Sequence, residues 1–309
     1  MKKVQLFLLL ILCSSAFTAT SCGEDDSETP EISTDTDTDT DPDPDPDPDP
    51  DTKPKDWEVV FLDEFNADGT LDKWEKTNRA DYNSSICLYQ KDNPVISSFD
   101  DKSCLQLTAT KEGTAYHSGH VKSLFNFKPK VNEEYQLTAS IKLIAFSDAN
   151  TQKNFGETYG AWPAFWTVNE TNWPVKGEID IMEAYTFGDN EPKFASNMFY
   201  GTVPFQNVLE RTAERPYNIS EGWHTYTQIW RNKDGIVSID IKVDDQIVAE
   251  YTNAINSRLK LEDFGPHNIM LNLNVGSDAR FNIFDNSLID LFAKTQMFVD
   301  FVKVEKRAL

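Results

Sequence analysis

Basic residues are scarce in this sequence. Lys and Arg number 29 against 51 Asp and Glu, a formal charge of −22 over 309 residues. The shortage argues against a nucleic-acid partner, because phosphate binding needs a basic surface. Cysteine is nearly absent: Cys13, Cys22, Cys87 and Cys104 are all there are, and their spacing carries no zinc signature. Helical periodicity is rare and no internal repeat is visible, which argues against a helix bundle or a solenoid. Long apolar runs are missing as well. Val4–Leu12, apolar except for Gln5, is nine residues long and too short to span a bilayer.

That short run has another use. Lys2 and Lys3 precede it, small residues follow, and Cys22 comes next, the layout of a signal peptide. The stretch "TATSCGEDDSE" resembles a bacterial lipobox, which implies a signal peptide over residues 1–21 and a lipid on Cys22. Glu24, Asp25 and Asp26 resemble the surface-export tag of Bacteroidetes lipoproteins. The expected location is the outer face of the cell outer membrane, with a periplasm-facing or secreted protein as alternatives. Residues 22–55 then form a linker. Its segment "STDTDTDTDPDPDPDPDPD", at 33–51, repels itself and favours extended geometry, so it builds no core. Residues 1–55 carry 14 acidic and 4 basic residues, or −10; residues 56–309 carry 37 and 25, or −12. The body is therefore only moderately acidic.

From Trp57 the texture changes to short alternating or β-branched runs, such as "CLQLTAT", "YQLTASIKLIAF", "GIVSIDIKVDD" and "IMLNLNV", separated by Gly, Asn, Asp and Pro. Residues 56–309 read as one all-β domain, a two-sheet sandwich or a barrel. Short helices are expected at Ser257–Phe264 and Asn286–Lys294. Cys87 and Cys104 each lie beside an expected strand. In an oxidising compartment a bridge between them would contribute roughly 3 kcal/mol; two buried thiols are the alternative.

One strand concentrates charge. In "GEIDIMEAY" Glu178, Asp180 and Glu183 fall within six residues. Plain alternation puts Glu178 and Asp180 on one face and Glu183 on the other. One extra residue, Ile181 or Met182, makes a β-bulge that returns Glu183 to the first face. Glu178 and Glu183 then stand four pairing steps apart, roughly 13 Å between Cα atoms. Side chains leaning together could approach about 5–5.5 Å, the separation of a retaining glycosidase rather than an inverting one. Crowded carboxylates also raise the pKa of one member, as a general acid requires. A calcium site or a solvated face would use the same residues.

The surroundings narrow the choice. "YGAWPAFWTVNETNWPVKGEIDIME" resembles glycoside hydrolase family 16, in its laminarinase-like branch. "FLDEFN", "GWHTYTQIW", "IMLNLNVG" and "MFVDFVKVEK" agree in order, so the resemblance runs from about residue 57 to 309. It implies a β-jelly-roll with a concave cleft for a polysaccharide. It also implies Glu178 as nucleophile, Glu183 as acid/base and Asp180 as the assisting carboxylate. Trp173 matches the family's aromatic platform beside the cleaved bond, and Trp162 is a second candidate. Trp166, Trp223 and Trp230 alternate into apolar strands and are expected in the core.

The implied activity is endo-acting, retaining hydrolysis of a polysaccharide, foremost a β-1,3(4)-glucan. In "NMFYG", Phe199 stands where many members carry His, and Phe199 with Tyr200 is expected at the sugar subsites. The loop after "LNLNVG" also lacks a common Trp segment. These departures keep an endo-β-galactosidase acting on β-galactans or host glycans as an alternative. A transglycosylase and a non-catalytic surface glycan-binding protein are the others, though the last would be expected to lose a carboxylate. No cofactor is expected for catalysis. The resemblance implies a structural calcium at Asp300, with Glu64 as a second ligand, and a monomer is expected.

Overall fold

The computed structural model describes residues 56–66, 68–80, 85–207, 215–255, 258–279 and 281–309. The signal peptide, the lipidated Cys22 and the linker expected in residues 1–55 lie outside the described residues. Nineteen strands are described. The first seven are β1 (Glu58–Asp63), β2 (Trp74–Glu75), β3 (Arg79–Ala80), β4 (Cys87–Tyr89), β5 (Val95–Phe99), β6 (Lys102–Glu112) and β7 (Ala115–Ser118). Next come β8 (His120–Phe127), β9 (Glu133–Phe146), β10 (Gln152–Lys153), β11 (Ala161–Val168), β12 (Glu178–Tyr185) and β13 (Lys193–Phe199). The last six are β14 (Arg215–Tyr217), β15 (Trp223–Lys233), β16 (Ile236–Val243), β17 (Gln246–Thr252), β18 (His267–Val275) and β19 (Lys294–Ala308).

They form two sheets. The first runs β17-β16-β15-β9-β19-β6-β7-β4-β3, with β1 on β19, β10 on β9 and β5 on β6. The second runs β14-β13-β12-β11-β18-β8-β2 and carries the charged strand β12 near its middle. Alternation explains how they pack. Leu105 and Leu107 on β6, Leu137 and Ile141 on β9, and Ile239 and Ile241 on β16 turn inward from the first sheet. Phe165, Ile179, Ile269, Leu271 and Leu273 meet them from the second. Trp230 is fully buried in this core, as its alternation implied. The all-β sandwich is thus the architecture expected from the sequence. Strand β11 departs from simple alternation: all eight residues of "AWPAFWTV" are buried. One of its faces joins the core, and the other lies beside the charged groups of β12, its hydrogen-bonded neighbour.

Three expectations need correction. The helices shrink to single 3-10 turns at Leu261–Asp263 and Asn286–Leu288. Phe264 ends the first by inserting into the core, and Asp285 caps the second by accepting the Ser287 N–H at 3.0 Å. The bridge between Cys87 and Cys104 is not formed; both are buried free thiols. Cys87 lies in the main core. Cys104 faces the other side of the first sheet, with Ile144, Phe146 and Phe298. Strand alternation therefore keeps the two sulfurs apart. Trp223, expected in the core, is half-buried against this same satellite cluster.

Candidate active site

The bulge expected in β12 is present. Asp180 pairs with Asn197 and Glu183 with Ala195, so three steps on β12 oppose two on β13. On the other side Met182 pairs with Phe165 and Asp180 with Trp166, which identifies Ile181 as the extra residue. Glu178, Asp180 and Glu183 therefore share one face, and all three are buried at 4–7% exposure. Ala195 and Ala164 stand in register on either side of Glu183.

Gly177 opens the strand with φ at +85°, and a Cβ there would lie 2.4 Å from the Phe264 ring. Only glycine meets both conditions. The preceding loop is fixed by its own turns: Val175 N donates to Asn172 O at 3.0 Å, and Gly177 N to Pro174 O at 2.9 Å. This places Trp173 so that its Nε1–H donates to Glu178 Oε2 at 2.7 Å. At the other end of the triad, Trp162 Nε1 donates to Glu183 Oε1 at 2.8 Å, and Asn197 Nδ2 to Glu183 Oε2 at 2.6 Å.

Burial pushes the Glu178 carboxyl up to about 8, with the charges of Glu183 and Glu170 adding to it and the Trp173 hydrogen bond opposing it. Asp180 is raised well above the usual carboxylate range, again first by burial, then by the two glutamates and by a hydrogen bond to Glu183. A carboxyl–carboxyl hydrogen bond requires one proton, so the triad does not carry three full charges near neutral pH. Crowding was the cause legible in the sequence; loss of water is the larger one.

The aromatic candidates sort clearly. Trp173 is half-buried, and its ring centre lies 5.9 Å from that of Phe199, which pairs with Glu178 across the strands. Both sit on the triad's face. Trp162 is buried, and it packs 5.5 Å from Tyr185 and 6.4 Å from the partly exposed Phe281. Trp166 is buried as expected and donates to Asn272 Oδ1 at 2.6 Å. Tyr200 is corrected: it is 4% exposed and belongs to the core cluster, because it follows Phe199 and alternation turns it away.

Several residues escaped sequence reasoning. Asn197 is two residues from Phe199 in "NMFYG", but only the cross-strand register reveals its contact with Glu183. Asn272, Asn274 and His120 lie further across the second sheet, and the Tyr89 hydroxyl, from β4 of the first sheet, donates to Asn274 Oδ1. Burial lowers His120 to about 4, so it is neutral at physiological pH. Glu170, on the loop before Trp173, accepts from Lys122 at 2.6 Å and from Arg79 at 3.4 Å.

Asp300 and Glu64, the residues expected to hold calcium, lie in different surroundings. Asp300 is the extra residue of a bulge in β19, and Lys102 Nζ lies 2.6 Å from its carboxylate. Glu64 is exposed. Among the described residues, no three His, Cys, Asp or Glu side chains gather to hold an ion.

Paired glutamates with an aspartate between them, held by indole and amide donors on one face of a β-sandwich, define an O-glycosyl hydrolase. Residues 83–283 match the family model described as glycosyl hydrolases family 16, and the chain belongs to that family. Solved structures agree on the fold. An endo-1,3-beta-glucanase from Streptomyces sioyaensis is 21% identical, covering 81% of this chain and 96% of that one, with a TM-score of 0.66. A family 16 enzyme of the Bacteroides ovatus mixed-linkage glucan locus, in complex with its product, is 26% identical. It covers 80% of this chain and 100% of that one, with a TM-score of 0.59. A laminarinase from Flavobacterium sp. UMI-01 is 21% identical, with 80% and 99% coverage and a TM-score of 0.59. Among curated proteins no relative matches.

Proposed function

We propose that this chain is an endo-acting, anomer-retaining hydrolase of β-1,3(4)-glucans. One observation carries the reading: the Ile181 bulge gathers Glu178, Asp180 and Glu183 on one face, with a separate donor set at each end. Glu178, with Trp173 donating to it, is the nucleophile. Its ionised form attacks the anomeric carbon. Glu183, held by Trp162 and Asn197, protonates the departing glycosidic oxygen. The Glu183 carboxylate left behind then takes a proton from water as that water attacks the glycosyl ester. The ester bond to Glu178 breaks, and the cycle closes. Asp180 assists from its place between the two glutamates on the same face.

The β-glucan choice follows from the mixed-linkage glucan enzyme, at 26% identity. Phe199 beside Trp173 supports a second reading, an endo-β-galactosidase, because an apolar ring there replaces a polar sugar contact. Cys22 and the acidic residues after it support anchorage on the outer cell surface, where a polymer too large for import would be cut first. Time-resolved product sizing on laminarin, lichenan, agar-type galactans and keratan-type chains tests all of this. A spread of β-glucan oligomers in early digests is expected. Cleavage of galactans alone would favour the second reading, and release of a single small sugar from chain ends would overturn endo action.

A further inference from the structure

The loop after β13 carries an aromatic side chain that the fold leaves unburied. Phe205 is 81% exposed, and its φ of 61° lies in the left-handed region that a phenylalanine occupies only when its surroundings hold it there. Those surroundings are specific. The Phe205 N–H donates to the Trp173 carbonyl at 2.6 Å, and Val203 and Gln206 close an antiparallel bridge around the turn. Gly201 permits the turn, since a Cβ there would lie 2.0 Å from the Gln206 carbonyl oxygen and 3.4 Å from the Pro174 ring. The loop is therefore fastened to Trp173 and Pro174. Trp173 is the residue whose indole donates to Glu178, and whose ring stands beside Phe199.

An exposed aromatic held in a strained backbone beside a charged site is a binding feature more than a folding one. A pyranose ring has an apolar face that an aromatic ring can cover. The geometry points to Phe205 as a sugar-stacking residue that extends the wall begun by Trp173 and Phe199 to a further ring of the glycan. It rests on the assignment of Glu178 as nucleophile. In-line displacement puts the incoming carboxylate and the departing oxygen on opposite sides of the anomeric carbon. Glu178 lies against the sugar that carries the anomeric carbon, the first of the glycone half, and Glu183 lies against the oxygen that departs with the aglycone half. Phe205 belongs to the glycone half and sets how many sugars are gripped on that side.

The test compares wild type, Phe205→Ala and Phe205→Trp on laminarin, on lichenan, and on aryl β-glycosides of short and longer glucose oligosaccharides. Phe205 is exposed, so the melting temperature of both variants stays at the wild-type value. The alanine variant is expected to lose about 2- to 10-fold in kcat/KM, the range of one aromatic stacking contact, on the polysaccharides and on the longer aryl glycoside. The shortest aryl glycoside shows no loss, and Phe205→Trp restores the rate. Equal kcat/KM for wild type and Phe205→Ala on every substrate overturns the inference while leaving the hydrolase reading intact. A loss confined to polysaccharides places Phe205 on the aglycone half and also overturns it. A wild-type chain that cleaves nothing in the set overturns the underlying reading itself.

Discussion

Replacing Glu178 by Gln should make this protein more stable while removing its activity. Glu178 is 7% exposed, and its carboxyl is pushed up to about 8 from an ordinary 4.5. Between those two values the unfolded chain releases a proton that the folded chain retains. Folding is therefore progressively disfavoured as pH rises from about 4.5 to 8, and the full cost persists above that. At 1.36 kcal/mol per pH unit the cost is on the order of 3 kcal/mol at pH 7 and about 5 kcal/mol above pH 8, shared with the neighbouring Asp180. Gln keeps the oxygen that accepts from Trp173 and discards the charge. For a domain of this size, about 3 kcal/mol corresponds to a gain of roughly 6–12 °C in Tm. Differential scanning fluorimetry from pH 4 to pH 9 reads this directly. The two melting curves should coincide near pH 4 and separate as pH rises, while turnover falls below a few per cent of wild type at every pH. A Gln variant that melts at or below wild type across the whole range would refute the reasoning, because Glu178 would then be stabilising as an ion.

Three further outcomes follow from the site geometry. Trp173→Phe removes the donor 2.7 Å from Glu178 Oε2. Glu178 should then ionise at still higher pH, moving the acidic limb of the kcat/KM profile upward by about 1–2 pH units, the worth of a hydrogen bond to a charged group. Asn197→Ala removes the 2.6 Å donor to Glu183. Its kcat should fall about 10- to 100-fold with natural glycosidic leaving groups, and less with activated aryl groups that need no protonation. Gly177→Ala brings a Cβ to 2.4 Å from Phe264 at φ +85° and should cost about 2–4 kcal/mol in chemical denaturation.

The residues of β12 show what a sequence can reveal. Alternation alone strands Glu183 on the wrong face, so the bulge could be inferred before any coordinates, and Ile181 fills it. The apolar strands and the sandwich were legible for the same reason: each depends on local period. The contacts that tune the carboxyls were not. Asn197 reaches Glu183 from the neighbouring strand, and Trp162 reaches it from β11, 21 residues away. Those meetings are fixed by register between strands, which a single sequence does not display. Cys87 and Cys104 failed as a pair on the same point, since their separation of 17 residues says nothing about which face each occupies. Lys102 meets Asp300 from 198 residues away, so their ion pair left no local trace.

The central claim is covalent catalysis by Glu178. An activated, fluorinated aryl β-glycoside of a glucose oligosaccharide should glycosylate the enzyme, releasing its phenolate, faster than water can free the sugar. Peptide mass mapping of the inactivated protein then locates the sugar. The account predicts one glycosyl group, esterified to the peptide that contains Glu178 and assigned to that side chain by fragmentation. A glycosyl group on Glu183 or elsewhere, or turnover of the reagent with no adduct at all, would contradict it.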